Sequence, residues 1–279
     1  MSLVRFSKMH GLGNDFIVVD TTRGGRTDWP PELIHKLSCR HTGVGFDQLL
    51  LICPPNSSDV DFNYRIINTD GYEAGQCGNG VRCLARFVRD NKLTNKDLIR
   101  VQTVKTLMEL RIKQNGQVTV NMGEPILDPE RVPFVTSARS IEYTLDLDGS
   151  DWVKVMVVSM GNPHAVMVVD DVHSVPVKEF GPKVQQHPCF PEQCNVGFMQ
   201  VVSPSEIKLR VCERSVGETM ACGSGACAAV VAGRLQGLLD EVVTVHFHMG
   251  DLQISWQGEG HPVMMTGPAT HVYDGEITV

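Results

Sequence analysis

Two short stretches of this chain, CGNG at residues 77–80 and CGSG at residues 222–225, place a cysteine directly before glycines. Each stretch lies where a loop gives way to a run typical of a helix, so we expect each thiol at a helix N-terminus. The unsatisfied backbone N–H groups of a helix N-terminus favour a thiolate and also bind carboxylates. The pair of stretches therefore predicts two reactive thiols that face one anionic substrate.

The cysteine stretches belong to a longer internal repeat with an offset of 145 residues. This offset aligns Cys77 with Cys222, Gly78 with Gly223, Gly80 with Gly225, Glu73 with Glu218, and Arg65 with Arg210. Further upstream, GNDF at 13–16 and GNPH at 161–164 have nearly the same separation. A period this long indicates two related domains, because solenoid repeats are much shorter.

The segment 124–133 is the expected crossover between the two domains, because its three prolines and charged residues suit an extended linker. We therefore predict an N-terminal domain at 1–122, to which residues 268–279 return, and a C-terminal domain at 123–267. A chain of 279 residues is long enough for two domains that each bury a core.

Composition bounds the class of protein. A hydrophobic fraction of 42% and a charged fraction of 20% are typical of a soluble globular protein. The net charge of −7, without a basic run, argues against binding to nucleic acid or to acidic membrane surfaces. No stretch resembles a membrane span, and the N-terminus resembles neither a signal nor a transit peptide, so we expect a cytoplasmic protein.

Cysteine usage points the same way. The count of nine is odd and no C-x2-C pair occurs, which indicates neither a disulfide framework nor a zinc site. We therefore expect a reducing compartment and no metal. No motif for a nicotinamide or pyridoxal phosphate is visible, so no cofactor is expected either.

The two helices that follow the cysteines differ in composition. In the first, Arg82, Arg86 and Arg89 share one face opposite an apolar face, and we expect this arginine face to be solvated. The second, predicted over 223–233, has no charged residue and consists largely of Ala and Val. A helix that is apolar on every side is expected to be buried on every side, with a sheet curved around it.

From residue 9 to residue 273 the chain resembles the diaminopimelate epimerases, which interconvert LL- and meso-diaminopimelate without a cofactor. The resemblance rests on GNDF at 13–16, CGNG at 77–80, GNPH at 161–164, Glu213-Arg214, and CGSG at 222–225. It implies an α+β fold of two pseudo-symmetric domains, each a mixed β-sheet curved around a central helix, with the active site in the interdomain cleft. It also implies a role in the biosynthesis of lysine and cell-wall precursor.

The resemblance further implies a role for individual residues. Cys77 and Cys222 correspond to the acid/base pair, and His164 and Glu213 to groups that tune the ionisation of these thiols. The positions that hold the substrate correspond to Asn14, Gln48, Asn68, Gly78, Asn79, Asn162, Asn195, Glu213, Arg214, Gly223 and Ser224. Tyr273 matches a position used in dimer formation, so a homodimer is expected.

The chemistry explains why such residues are needed. Inversion of an amino-acid α-carbon removes a proton from one face and returns a proton to the other, which requires two groups. The resulting negative charge spreads onto the α-carboxylate, where backbone N–H groups at the two helix starts can stabilise it. Those groups belong to Gly78, Asn79, Gly223 and Ser224. Arg214 can hold a second carboxylate bidentately, which suits a substrate that is an amino acid at both ends.

Other interpretations remain open on the sequence alone. A proline or hydroxyproline racemase of the same superfamily would need fewer polar anchors. A C-x2-C motif would favour a thiol redox or metal-binding protein, but this chain has none. A non-catalytic binder could share the fold. His164 could be a satisfied turn histidine, Arg214 a surface ion pair, and Asn14 and Asn162 simple turn residues.

Overall fold

The structure is a computed structural model that describes residues 3–75, 77–104, 106–149 and 151–279. The strands in these ranges are β1 (Leu3–Gly11), β2 (Asn14–Asp20), β3 (Gln48–Cys53), β4 (Phe62–Asn68), β5 (Glu73–Ala74), β6 (Leu98–Gln102), β7 (Leu107–Ile112), β8 (Val118–Asn121), β9 (Tyr143–Asp146), β10 (Trp152–Ser159), β11 (Pro163–Val168), β12 (Asn195–Ser203), β13 (Glu206–Glu213), β14 (Gly217–Thr219), β15 (Val242–Phe247), β16 (Gly250–Ser255), β17 (Met264–Gly267) and β18 (Thr270–Thr278). The α-helices are α1 (Pro31–Ser38), α2 (Gly78–Asp90), α3 (Val177–Gln185) and α4 (Gly223–Leu235). The predicted α+β class is confirmed.

The chain divides into two compact units. The first unit runs to Val120 and resumes at Gly267–Val279, and the second is Asn121–Thr266. No helix in the described part of the chain is long and apolar enough to cross a bilayer.

The first unit is built on a mixed sheet. Strand β1 pairs antiparallel with β2 and with β18, so the last strand of the chain lies beside the first. Strand β2 is parallel to β3, which is antiparallel to β4. Strand β4 pairs antiparallel with β5 and parallel with β6, and β6, β7 and β8 continue as antiparallel neighbours.

The second unit repeats this pairing strand by strand. Strand β10 is antiparallel to β9 and β11, β11 is parallel to β12, and β12 is antiparallel to β13. Strand β13 pairs antiparallel with β14 and parallel with β15, and β15, β16 and β17 are antiparallel neighbours. Strands β1–β8 thus correspond to β10–β17, and β18 takes beside β1 the place that β9 takes beside β10.

Side-chain contacts also repeat. Arg65 Nε on β4 lies 3.1 Å from Glu73 Oε2 on β5, and Arg210 Nε on β13 lies 2.6 Å from Glu218 Oε1 on β14. The residues that the offset of 145 aligns are therefore equivalent in three dimensions, which confirms the predicted duplication.

The central helices pack against the sheet of their own unit. Helix α2 contacts β1, β2, β3, β7 and β18, and α4 contacts β10, β11, β12, β13 and β16. Every residue of α4 from Gly225 to Gly233 is buried, which confirms that this apolar helix is enclosed. It extends two residues beyond the predicted end, to Leu235.

Two local expectations were wrong. Arg82 on α2 is completely buried, whereas its predicted neighbours on a solvated face, Arg86 and Arg89, keep about a third of their side chains exposed. The segment 124–133 is not merely an extended linker, because it forms a short 3-10 helix at Pro129–Arg131 and buries Val132 in the core of the second unit.

Candidate active site

Each of the two cysteines caps a central helix. Cys77 has extended backbone angles and its Sγ accepts the N–H of Gly80 at 3.3 Å, while Cys222 does the same with the N–H of Gly225 at 3.3 Å. An N-cap side chain that accepts such a bond satisfies a donor that the helix leaves free. The prediction that both thiols lie at helix N-termini is confirmed.

The glycines that follow are required for space. A Cβ on Gly80 would lie 2.4 Å from Tyr64 Oη, and one on Gly225 would lie 3.0 Å from Val211 Cγ2 and 3.3 Å from Cys222 Sγ. Side chains at these positions would push the helix away from the strand behind it.

The first half-site, as we call the polar residues around Cys77, is composed of amides. Cys77 Sγ lies 3.7 Å from Asn14 Oδ1, and Asn79 Nδ2 donates to the same oxygen at 3.3 Å. Asn14 begins β2 and Asn79 lies in the first turn of α2, so the sheet and the helix bring the three residues together.

A second amide pair lies at the same edge of the sheet. Gln48 begins β3 and Asn68 ends β4, and the antiparallel register places them opposite each other. Gln48 Nε2 donates to Asn68 Oδ1 at 2.7 Å, and Gln48 Oε1 is buried without a protein partner. A buried acceptor without a partner is suited to a ligand donor such as an ammonium.

The second half-site, the polar residues around Cys222, contains a hydroxyl, an imidazole and a carboxylate. Ser224 Oγ lies 3.5 Å from Cys222 Sγ and 3.1 Å from His164 Nε2. Asn162 Oδ1 also lies 3.1 Å from His164 Nε2, and its Nδ2 donates to Ser224 Oγ at 3.4 Å. The structure thus brings together four residues that the sequence predicted for the site.

Glu213 completes the second half-site. It ends β13 and accepts the Thr219 hydroxyl at 2.5 Å. Burial, followed by the negative charge of Glu213, raises the pKa of the Cys222 thiol well above its ordinary value. Cys222 is therefore a protonated thiol at neutral pH in this structure.

His164 is neutral for a related reason. Its side chain is buried, and this burial, assisted by the charge of Arg214, lowers the pKa of its imidazole from 6.5 to about 3. A neutral imidazole next to Ser224 can serve as donor or acceptor, according to its tautomer.

Asn195 and Arg214, two further predicted site residues of the second unit, are hydrogen-bonded to each other. Asn195 begins β12 opposite His164, donates to Pro163 O at 3.1 Å and accepts the backbone N–H of Arg214 at 2.9 Å. The guanidinium of Arg214 donates to Glu192 O at 2.9 Å through Nη1. The other nitrogens of this guanidinium are suited to a carboxylate ligand.

The other predicted site residues have simple positions. Gly78 and Gly223 are the first residues of α2 and α4, next to their cysteines. Tyr273 lies on β18 with 43% of its surface exposed, and its ring packs edge-on against Phe6. Among the described residues, no cluster of three or more acidic, histidine or cysteine side chains could hold a metal ion.

Sequence reasoning missed three residues near Cys77. Asp47 accepts a hydrogen bond from Asn14 Nδ2 at 3.0 Å, Arg82 donates to Asn79 Oδ1 at 3.0 Å, and Tyr64 presents a buried hydroxyl without a partner toward α2. The repeat did indicate that Arg82 is buried, because the offset of 145 aligns Arg82 with Cys227 in the enclosed helix α4.

Known structures share this architecture. A hydroxyproline epimerase from Agrobacterium vitis matches with a TM-score of 0.71 at 13% identity, over 99% of this chain and 92% of its own. A phenazine biosynthesis protein from Bacillus anthracis matches with a TM-score of 0.71 at 15% identity, over the full length of both chains. Fold and site therefore define a duplicated protein of the epimerase fold with one helix-capping thiol in each unit.

Sequence comparison gives the particular family. The profile of the diaminopimelate epimerases matches residues 6–127 and 156–272. Diaminopimelate epimerases from Ectopseudomonas mendocina and from Pseudomonas syringae pv. tomato are each 53% identical to this chain over 275 residues, which is 99% of this chain and of each relative. The chain belongs to the diaminopimelate epimerase family, a family of isomerases, as its motifs predicted.

Proposed function

We propose that this chain interconverts LL- and meso-diaminopimelate by inverting one α-carbon, with Cys77 and Cys222 as the two acid/base groups and without a cofactor. The observation that carries the proposal is the thiol at the N-terminus of each central helix, in a chain that matches named diaminopimelate epimerases along its length. The domains expected at 1–122 with 268–279, and at 123–267, would each supply one thiol.

The electrostatics support a starting assignment for the pair. Cys222 is held as a thiol by burial and by Glu213, so it can donate a proton to the carbanion. Cys77 is only half-buried and accepts the Gly80 N–H at its helix N-terminus, so it can carry the thiolate that removes the proton. In the reverse direction the two groups exchange roles, and as a coupled pair they titrate together.

The remaining residues fit the two ends of the substrate. Backbone N–H groups at Gly78 and Gly223 would stabilise the carboxylate next to the reacting carbon, as donors aimed at developing charge do. Arg214 would hold the distal carboxylate. The unpartnered oxygen of Gln48 would accept the distal ammonium. Asn14, Asn68, Asn79, Asn162, Asn195, Glu213 and Ser224 complete the proposed binding set.

Incubation of the purified protein with each candidate substrate in D₂O tests the proposal. We expect deuterium to enter the α-carbon of diaminopimelate as LL- and meso-isomers interconvert, and we expect none to enter proline or hydroxyproline. Deuterium in proline but not in diaminopimelate would establish the racemase alternative. Tight binding of diaminopimelate without exchange would establish a non-catalytic binder.

The thiol redox alternative has a separate test. If Cys77 and Cys222 are the acid/base pair, an oxidant that joins them should abolish epimerisation and a reductant should restore it. Full activity of the oxidised protein would contradict the assignment.

We also propose a cytoplasmic homodimer, in which exposed Tyr273 on strand β18 contributes to the contact. Analytical ultracentrifugation of the wild type and of Tyr273→Ala tests this proposal. We expect a dimer for the wild type and a larger monomer fraction for the variant, and a monomeric wild type would contradict it.

A further inference from the structure

Four side chains next to Cys77 form a chain of hydrogen bonds that begins and ends on an ion. Arg82 Nη2 donates to Asn79 Oδ1 at 3.0 Å, and Asn79 Nδ2 donates to Asn14 Oδ1 at 3.3 Å. Asn14 Nδ2 then donates to Asp47 Oδ2 at 3.0 Å. We propose that Arg82 and Asp47 are positioning residues, which fix the amide of Asn14 so that its oxygen, and not its NH₂ group, faces Cys77.

At the first end of this chain of hydrogen bonds, Arg82 can only donate. A guanidinium has five donors and no acceptor, so the Asn79 atom that faces Arg82 must be the amide oxygen. The NH₂ group of Asn79 consequently points away from Arg82, toward Asn14. An amide orientation deduced in this way follows from chemistry and not from the similar shape of the two amide atoms.

At the other end, the ionised carboxylate of Asp47 can only accept hydrogen bonds. Asp47 accepts from Asn14 Nδ2, from Arg40 Nη2 at 2.7 Å and from the backbone N–H of Asp15 at 3.1 Å. All three partners are donors, and an ionised carboxylate can only accept. The NH₂ group of Asn14 must therefore face Asp47, which leaves its oxygen for Asn79 and Cys77.

The protein is built around the buried cation at one end. Arg82 has no exposed surface, and its Nε and Nη1 donate to Pro268 O at 3.0 Å and to Gly78 O at 3.2 Å. Strand β1 provides the room, because a Cβ on Gly11 would lie 3.0 Å from Arg82 Nη2. Burial of a guanidinium is costly unless its donors are used, so the orientation of Arg82 is strongly constrained.

The orientation matters for the base strength of Cys77, and this step rests on the proposed role of that thiol. The helix N-terminus and the Gly80 N–H favour the thiolate of Cys77. The oxygen of Asn14 instead accepts the S–H and so favours the thiol, whereas a reversed amide would donate to sulfur and favour the thiolate further. Because a thiolate that is too stable is a weak base, the fixed amide preserves the basicity of Cys77.

Asp47→Asn tests the proposal, because an amide at position 47 can donate as well as accept and no longer dictates the orientation of Asn14. The measurement is the rate of alkylation of Cys77 by iodoacetamide against pH, followed by mass spectrometry of the peptide without substrate. We expect the midpoint to move down by about one pH unit. Asp47→Glu, which only accepts, should return the wild-type midpoint.

Two controls separate orientation from charge. Asp15→Asn removes a carboxylate that binds the same Arg40 but does not bond the Asn14 side chain, so its effect on the midpoint should be smaller. In about 1 M NaCl the Debye length is roughly 3 Å, and the Asp47→Asn shift should persist while shifts caused by charge alone decrease. An unchanged midpoint in Asp47→Asn, or a shift that disappears in salt, would overturn the proposal.

The alkylation experiment is independent of the proposed reaction. If the protein fails to exchange the α-proton of diaminopimelate but the midpoint shifts as expected, only the proposed function is wrong. If exchange occurs but the midpoint does not shift, only the positioning role is wrong.

Discussion

The two half-sites have the same backbone and different electrostatics. In both, a cysteine caps the central helix and accepts an N–H three residues on. Around Cys77 the structure places amides, whereas around Cys222 it places a hydroxyl, an imidazole and a carboxylate. The offset of 145 aligns Asn68 with Glu213, Asn79 with Ser224, and Arg82 with Cys227.

The difference matters for the proposed two-base mechanism. Two identical half-sites would hold their thiols in the same surroundings, whereas the proposed reaction starts from one thiol and one thiolate. Burial and, after it, the carboxylate of Glu213 raise the pKa of Cys222. Asn68, the counterpart of Glu213, carries no charge that could act on Cys77 in this way. The Asn14 amide next to Cys77 bonds the Asp47 carboxylate directly and the Arg82 guanidinium through Asn79. Asn162, in contrast, bonds a neutral histidine and a hydroxyl.

Removal of either sulfur should have the largest effect. We expect Cys77→Ala and Cys222→Ala each to lower the rate of inversion by about 10⁴-fold, because each removes one of the two proposed acid/base groups. Each variant can still exchange the α-proton of a single stereoisomer with D₂O, because the remaining thiol reaches one face only. The measurement is chiral chromatography with deuterium analysis. Inversion at the normal rate in either variant would contradict the two-base proposal.

Removal of the charge at Glu213 should make the half-sites more alike. In Glu213→Gln we expect the pKa of Cys222 to fall toward its ordinary value, although burial still raises it. The alkylation profile of Cys222 should shift to lower pH and the inversion rate should fall by about 10²-fold. Glu218→Gln is the matched control, since that carboxylate pairs with Arg210, and it should leave the Cys222 profile unchanged.

The glycines three residues after the cysteines should differ in their tolerance of a methyl group. Gly80→Ala drives a Cβ to 2.4 Å from Tyr64 Oη, and we expect it to cost about 2 kcal/mol of the free energy of unfolding. Gly225→Ala meets the methyl of Val211 at 3.0 Å and should cost about 1 kcal/mol. Urea denaturation measures both.

The Tyr64→Phe background identifies the cause of the Gly80 cost. The next atoms near a Cβ at Gly80 belong to Leu50, at 3.3 and 3.4 Å, so loss of the hydroxyl removes the clash. The hydroxyl is buried without a partner, and its removal alone should leave stability unchanged or slightly higher. If Gly80→Ala costs as much in the Tyr64→Phe background, the clash is not the cause.

The parts of the fold and of the site that could be predicted from sequence are those with a local sequence signal. The repeat, the two caps and the enclosed helix α4 follow from cysteine–glycine motifs, a fixed offset and a run of small apolar residues. Most predicted site residues came from motifs of one family. The burial of Arg82 could not be read from helical spacing, because it depends on Gly11 in β1 and on a carbonyl near the other end of the chain, at Pro268.

Asp47 illustrates the same limit from a strand pairing. It contacts Asn14 only because β2 and β3 are parallel neighbours in the register that pairs Phe16 with Gln48. The sequence predicts both strands but contains no local mark of that register. Residues of a known motif can be predicted from sequence. The contacts that orient such a residue, like that of Asp47 with Asn14, are visible only in the folded chain.

The last prediction concerns the acid stability of the second half-site. Because the pKa of buried His164 is about 3 and its ordinary value is 6.5, the unfolded chain binds a proton between these values that the folded chain does not. Stability from this group is complete above pH 6.5 and is lost as the pH falls toward 3, by at most about 1.4 kcal/mol per pH unit.

In His164→Gln this dependence should disappear, so the slope of unfolding free energy against pH should be flatter between pH 6 and about 4 than in the wild type. The comparison uses slopes, because the loss of the contacts to Ser224 and Asn162 lowers stability at every pH. His35→Gln, at an exposed position of α1, is the control and should retain the wild-type slope. Phe16, the last residue of GNDF, occupies in the first unit the place that His164, the last residue of GNPH, occupies in the second. This acid sensitivity therefore belongs to the Cys222 side alone. An unchanged slope in His164→Gln would mean that this imidazole has the same pKa in the folded and the unfolded chain, and it would contradict a buried imidazole that stays neutral down to about pH 3.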